Sequence, residues 1–316
     1  MIIYRQHIYS SKKKKGDSKK SESESEPSPL GEAGVKKHFI VDKKLYQGSF
    51  NLFNKENEEL LKDPNNKKLN KELIKRAKKE GVKVVNDKKF ENSAYLGIPF
   101  SRKTREYLEK NGNLDSYKKQ MEKEFKSKAV GENIGTDTIV MGNLNSPAVL
   151  SHELGHAAMS DKGRSNDIIG KAAHTSVGTL LDTPYNLVTT NNKKFRNISR
   201  GALFAAGIKH GYSSSNKKEK NDLVGARREG WKGIRRGALI SAPVLIQEAA
   251  ASRKGIKYLR EAGATEEQIK HSKKSLAGAF GTYVSAGLAP IIIEAGGTLT
   301  GMGIHALKRH LEKKKK

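Results

Sequence analysis

Two histidines four residues apart flank a glutamate in His152-Glu153-Leu154-Gly155-His156. If these residues are helical, the 3.6-residue period puts both imidazoles on one face, where both can reach one zinc ion at about 2.0–2.1 Å. Glu153 then sits one step round the helix, beside the metal and aimed at its water. Zinc lowers the pKa of such a water toward about 7, and a neighbouring carboxylate can take the proton as the water attacks a polarised carbonyl. The pattern therefore points to a zinc peptidase, with His152 and His156 as ligands and Glu153 as general base.

A catalytic zinc needs three protein ligands and keeps its fourth position for water. A third histidine six residues after His156 is excluded, because that position is Lys162; Asp161 is one place nearer but short. The better candidate is Glu248, a lone carboxylate among apolar and small residues in Ala242-Pro-Val-Leu-Ile-Gln-Glu-Ala-Ala-Ala-Ser-Arg253. A buried carboxylate is costly unless it is paired or bound to metal. An ion pair with Arg253 or Lys254 is the alternative use for it. His174, in Lys-Ala-Ala-His-Thr-Ser, could approach the site from behind the ligands. Tyr283 is placed to pack in a core, although a phenol can also donate to an oxyanion.

Three segments taken together, Ser146-Pro-Ala-Val-Leu-Ser-His-Glu-Leu-Gly-His-Ala157, Glu248-Ala-Ala-Ala-Ser-Arg253 and Thr282-Tyr-Val-Ser-Ala286, resemble the bacterial neutral zinc metallopeptidases of the YugP-like group. The resemblance continues through 253–264 and covers roughly residues 137–290, about half the chain. It implies zinc on His152, His156 and Glu248, Glu153 as catalytic base, a metalloendopeptidase of the glutamate-ligand (gluzincin) kind, a protein or peptide substrate, and association with a membrane.

The elements that must position these groups follow from local signals. Asp137–Gly142 reads as a short strand, Asn143–Ser146 as a turn, and Ser146 with Pro147 as N-cap and first helical residue of the apolar helix carrying the histidines. The 52–80 stretch, with leucines at 60, 61, 69 and 73 and a break at Asp63-Pro64, predicts two short helices closed by Gly81. Val82–Val85 and Ser93–Ile98 read as further strands, with a helix at 101–127 between them and the strand at 137–142. The fold expected is α+β: a zincin-like small sheet and active-site helix at 36–160, then a mostly helical part at 161–316 that supplies Glu248 from a helix beginning near Pro243. The zincin resemblance gives strand 137–142 the role of a sheet edge to which an extended substrate adds.

Composition bounds the remainder. The chain has 316 residues, 35% apolar and 30% charged, with no cysteine, so disulfides and thiolate metal sites are excluded. Residues 1–10 are too polar for a secretory signal, and the Lys/Ser/Glu run at 11–35 reads as a flexible tail. The expected location is cytoplasmic or membrane-associated. Net charge is +27, from 61 Lys and Arg against 34 Asp and Glu, which calls for an anionic partner or a solvating role. An anionic membrane surface suits it better than nucleic acid, since aromatics are only 6% and no nucleic-acid-binding module is evident. Residues 275–304 carry a single charge, Glu294, and are long enough to span a bilayer, but Pro290 and Gly296-Gly297 predict a kink and a break. The competing reading is a noncatalytic basic protein, binding membrane or nucleic acid, with a structural zinc on the same residues.

Overall fold

The computed structural model describes residues 29–90, 92–143, 145–160, 166–181, 183–189, 193–216 and 223–315. Most of the tail expected at 11–35, and the candidate ligand Asp161, lie outside these residues. The architecture is α+β: a three-stranded mixed sheet set among helices, followed by a helical C-terminal region.

In chain order come α1 (Pro29–Lys62), α2 (Asn66–Lys79), β1 (Lys83–Asn86), β2 (Ser93–Tyr95), α3 (Pro99–Lys110), α4 (Leu114–Phe125), α5 (Lys128–Asn133), β3 (Thr138–Met141) and α6 (Pro147–Ser160). The short helices α7 (Ile168–His174), α8 (Ser176–Leu181) and α9 (Thr183–Thr189) lead to three long ones, α10 (Lys193–Asn216), α11 (Leu223–Glu261) and α12 (Glu266–Lys314). The break at Asp63-Pro64 falls where the sequence puts it, but the helix before it starts at Pro29. The single helix expected at 101–127 is two, α3 and α4, because the chain turns through Gly112 at φ +69°; a second turn through Lys126 at φ +51° separates α4 from α5. Glycine adopts such a left-handed angle without steric cost, and at Gly112 it ends α3.

The sheet order is β1-β3-β2, with β1 parallel to β3 (Val84 beside Ile139) and β2 antiparallel to it (Ala94 beside Val140). This corrects the expected role of 137–142. β3 is the middle strand, paired on both sides, and has no edge to offer; β2 is the outer strand on the α6 side. The pleat sends alternate residues to opposite faces. Ile139, Met141 and Tyr95 join the main core with Leu150, Leu154, Tyr258, Leu259 and Ile269, while Val140, Ala94 and Leu96 join Met121, Phe125 and Val130 of α4 and α5. The main core thus draws on residues from Phe53 to Ala279, on both sides of α6 in the sequence.

The long helices are continuous where the sequence predicts interruptions. α11 does not begin at Pro243 but passes through it. Proline removes one hydrogen bond to the residue four back, Leu239, which is 73% exposed, so the freed carbonyl is on the solvent side. α12 runs unbroken through Pro290 and Gly296-Gly297. Its glycines are contact points: a Cβ on Gly301 would lie 2.0 Å from the Ile208 carbonyl oxygen, and one on Gly297 would lie 2.4 Å from that of Phe204. Gly211 of α10 answers with 1.9 Å to the Thr298 carbonyl, and Gly237 of α11 with 2.4 Å to Ile291 Cα. Backbone-to-backbone packing outweighs the poor helix propensity of these residues. Along its first half α12 runs antiparallel to α1, with Gln268 on Asp63, His271 on Glu56 and Gly278 against Phe53.

Among the described residues α12 is also the one helix long and apolar enough to cross a membrane by length and composition, and half of its most apolar window is buried in the protein. Where Arg236 of α11 reaches Glu294 (2.5 Å) and Thr298 (2.8 Å), the one charge of that apolar stretch is paired in the bundle.

The glycine contacts give a paired test. Gly301→Ala should lower stability by about 1–3 kcal/mol through overpacking, whereas Gly303→Ala, where a Cβ meets nothing within 4 Å, should raise it by about 0.5–1 kcal/mol. Thermal or denaturant unfolding reads both; equal effects would mean α10 and α12 are not in backbone contact.

Candidate metal centre

α6 is buried along nearly its whole length, every residue from Pro147 to Met159. Its start is fixed by Ser146, whose side chain accepts from the Val149 amide at 3.3 Å and donates to Asn57 of α1. Its middle is fixed by α11. A Cβ on Gly155 would lie 2.1 Å from the Ala251 carbonyl oxygen, and one on Gly255 would lie 2.8 Å from that of Ser151. Two glycines, one per helix, therefore let the backbones cross in contact at the level of the histidines, and Glu248, one turn before the crossing on α11, comes against them.

His152 Nε2 lies 3.1 Å from His156 Nε2 and 3.2 Å from Glu248 Oε2, and His156 Nε2 lies 3.5 Å from the same oxygen. His152, His156 and Glu248 are 8%, 7% and 1% exposed, so nothing but the protein or a bound cation can neutralise this cluster. A tetrahedral ion with bonds of about 2.0–2.1 Å holds its ligand atoms about 3.3 Å apart, so the three atoms are spaced as one face of such a site. Glu248 Oε1 is buried without a hydrogen-bond partner, which a second metal contact or a water in the site would relieve. The donor set, two imidazoles and a carboxylate without thiolate, suits zinc.

The rear nitrogens of both rings are held. His152 Nδ1 is 3.0 Å from Ser252 Oγ, and His156 Nδ1 is 2.8 Å from His174 Nε2, whose own Nδ1 is 2.7 Å from the Gly170 carbonyl oxygen. Glu153, 8% exposed, accepts through Oε2 from the Tyr95 amide of β2 at 2.7 Å. That amide is on the side of β2 away from β3, since the next one, Leu96, donates to Thr138. The sheet thus holds the carboxylate that the sequence singles out as a base.

Burial penalises the charge on Glu248, but the His156 and His152 rings outweigh it and hold the carboxyl well below the usual range. Burial likewise disfavours a charged His152, but the hydrogen bond and charge of Glu248, helped by Glu153, raise its pKa above the ordinary value. In the metal-free protein the cluster thus favours a proton on His152.

All four residues read from the sequence, His152, Glu153, His156 and Glu248, come from the crossing of α6 and α11, with the three ligand atoms within 4.8 Å of one another. The alternative ion pairs for Glu248 are not formed: Arg253 pairs with Asp167, and Lys254 lies over the Tyr258 ring at 5.0 Å. Tyr283 packs with Tyr185 and Val244 and accepts from the Tyr185 hydroxyl through its carbonyl. The sequence alone assigns nothing to Ser252, although its place four residues after Glu248 puts it on the same face of α11. Nor does it mark the Tyr95 amide, a backbone group that no residue type announces.

Fold and site together define an α+β chain with a buried two-histidine, one-glutamate cluster on two crossing helices. Comparison with family models, with curated proteins and with solved structures gives no match.

A raised His152 pKa adds stability to the metal-free protein that is fully present below the unfolded value of 6.5 and is lost as pH rises through the folded value. The lowered pKa of Glu248 adds stability present above the unfolded value of 4.5 and lost as pH falls through the folded one. Chelator-treated wild type should therefore lose more in Tm than chelator-treated His152→Ala between about pH 6 and about pH 8. Equal losses would show that the proton is not held by this cluster.

Proposed function

We propose that this chain is a zinc-dependent metallopeptidase of the kind its sequence resembles, the YugP-like neutral zinc metallopeptidases, with His152, His156 and Glu248 as ligands. The observation that carries the reading is the meeting of three buried ligand atoms at tetrahedral spacing, with Glu153 on the same helical turn and hydrogen-bonded to the sheet. A zinc ion held there would supply Lewis acidity, polarising the scissile carbonyl and making water more acidic.

The chain's own residues do the remainder. Glu153 accepts a proton as water adds to the peptide carbonyl and returns it to the departing amine nitrogen, so a C–O bond forms and the C–N bond breaks. The Tyr95 amide keeps that carboxylate pointed. Ser252 and His174 hold the rings of the ligands in register. The competing reading, a basic binding protein with a structural zinc, needs the same ligands but no base beside them, and the buried Glu153 favours the peptidase.

Glu153→Gln should keep about one metal per chain and lower hydrolysis of an unfolded protein substrate by about two orders of magnitude or more. Unchanged hydrolysis in that variant would defeat the peptidase reading, and no hydrolysis in metal-loaded wild type across an unbiased peptide library would favour the structural-zinc alternative.

We also propose that the helical part rests on an anionic membrane surface. Leu307 and Leu311 of α12 are 61% and 51% exposed, beside Lys308, Arg309, Lys313 and Lys314, and Trp231 and Leu239 of α11 are 54% and 73% exposed. Apolar side chains with adjacent cations suit a headgroup boundary. The chain should co-sediment with vesicles containing phosphatidylserine and release at high salt; equal binding to neutral vesicles would remove the electrostatic part, and no binding would remove the proposal.

A further inference from the structure

His174 is 1% exposed, ends α7 and lies directly behind a proposed metal ligand. Its hydrogen bonds fix proton positions. The Gly170 carbonyl can only accept, so His174 Nδ1 carries the hydrogen of that 2.7 Å bond. With the ring neutral, His174 Nε2 is then the acceptor of its 2.8 Å contact, and His156 Nδ1 must donate. A ring with its hydrogen on Nδ1 presents a lone pair at Nε2, the atom that faces His152 and Glu248. One backbone carbonyl of α7 thereby sets, through two rings, which nitrogen of His156 is open to a cation.

We propose that His174 is a positioning residue: it holds His156 in the metal-binding tautomer and orientation, and through this contact metal occupancy secures α7. The inference rests on the metal centre proposed above. The coupling follows from the same bonds. A cation on His156 Nε2 excludes a hydrogen there and forces one onto Nδ1, where His174 is the group that accepts it. Without a cation the hydrogen is free to move from Nδ1 to Nε2, where Glu248 can accept it, and in that tautomer the His156–His174 bond is lost. α7 is tied at its other end by Asp167, which accepts from the Gly170 amide at 2.8 Å and pairs with Arg253 of α11. Metal binding therefore locks the bond at the end of α7 opposite Asp167 by removing the competing tautomer. An imidazole in this place also differs from a carboxylate in adding no negative charge behind the ligand, so more of the metal's positive charge stays available to a carbonyl.

The test compares His174→Gln with His174→Phe, which fill similar space with and without an acceptor for the His156 Nδ1 hydrogen. Zinc affinity is measured by competition with a chromophoric chelator, the cobalt-substituted absorption spectrum reports the ligand field, and amide hydrogen exchange at 168–174 is followed with and without zinc. His174→Phe should bind zinc about 10–100-fold more weakly than wild type, with shifted cobalt bands and no slowing of exchange at 168–174 on zinc addition. His174→Gln should recover most of the affinity and the zinc-dependent slowing. Equal affinity, spectrum and exchange in His174→Phe and wild type would overturn the proposal, as would a His174→Gln as weak as His174→Phe. A wild type that binds no zinc would overturn the metal centre itself and this role with it, and differs from the other failures because no substitution is needed to see it. Unfolding of the metal-free variants guards the comparison: if His174→Phe does not fold, His174→Ala replaces it against the same His174→Gln.

Discussion

A carboxylate and two imidazoles cannot be packed into a protein interior without a partner for their charge, and the closeness of α6 to α11 brings these three together. Moving an ionised carboxylate from water to an apolar interior costs several kcal/mol even after the surroundings relax. Glu248 meets that cost against His152 and His156 at 3.2 and 3.5 Å. The approach depends on glycine: with a side chain at Gly155 the helices would separate, and the carboxylate would be left buried beyond reach of the rings.

Other parts of the architecture can be understood as holding that crossing. The sheet presents the Tyr95 amide to Glu153 from one side, and α1 ties the start of α6 through Asn57 and Ser146. α12 lies along α1 and α11 and closes the core behind the site, with Ile269 and Ala279 in the same cluster as Leu150 and Leu154. Farther along α12 the glycine contacts with α10 and α11 and the half-buried Arg236–Glu294 pair take over from large apolar side chains. Such a pair is weak support for stability but costly to break on one side, so it fixes which faces of the two helices meet.

What the sequence revealed and what it hid follow from how local each signal is. The histidine pair and Ser146-Pro147 are readable because helical period and capping operate within a turn or two. Glu248 is readable because a lone carboxylate among alanines and aliphatics has few cheap fates. The α+β class and the three strands are readable from turn residues and apolar runs. Strand order is not: nothing in Thr138–Met141 says that it will be flanked on both sides, since pairing is decided by chain segments up to about 55 residues away. Gly296-Gly297 is a local breaker overruled by packing, which the sequence cannot weigh because the partners, Ile208 and Phe204, are remote. Ser252 and His174 gain their roles only when the ligands they support are in place.

The most direct measurement is the metal content of the purified protein by elemental analysis, in wild type and in Glu248→Ala, each after reloading with zinc and removal of free ion. The account predicts about one zinc per chain in wild type and a large loss in the variant, since removing one of three ligands opens a site that needs all of them. No zinc in reloaded wild type, or an unchanged zinc content in folded Glu248→Ala, would contradict it.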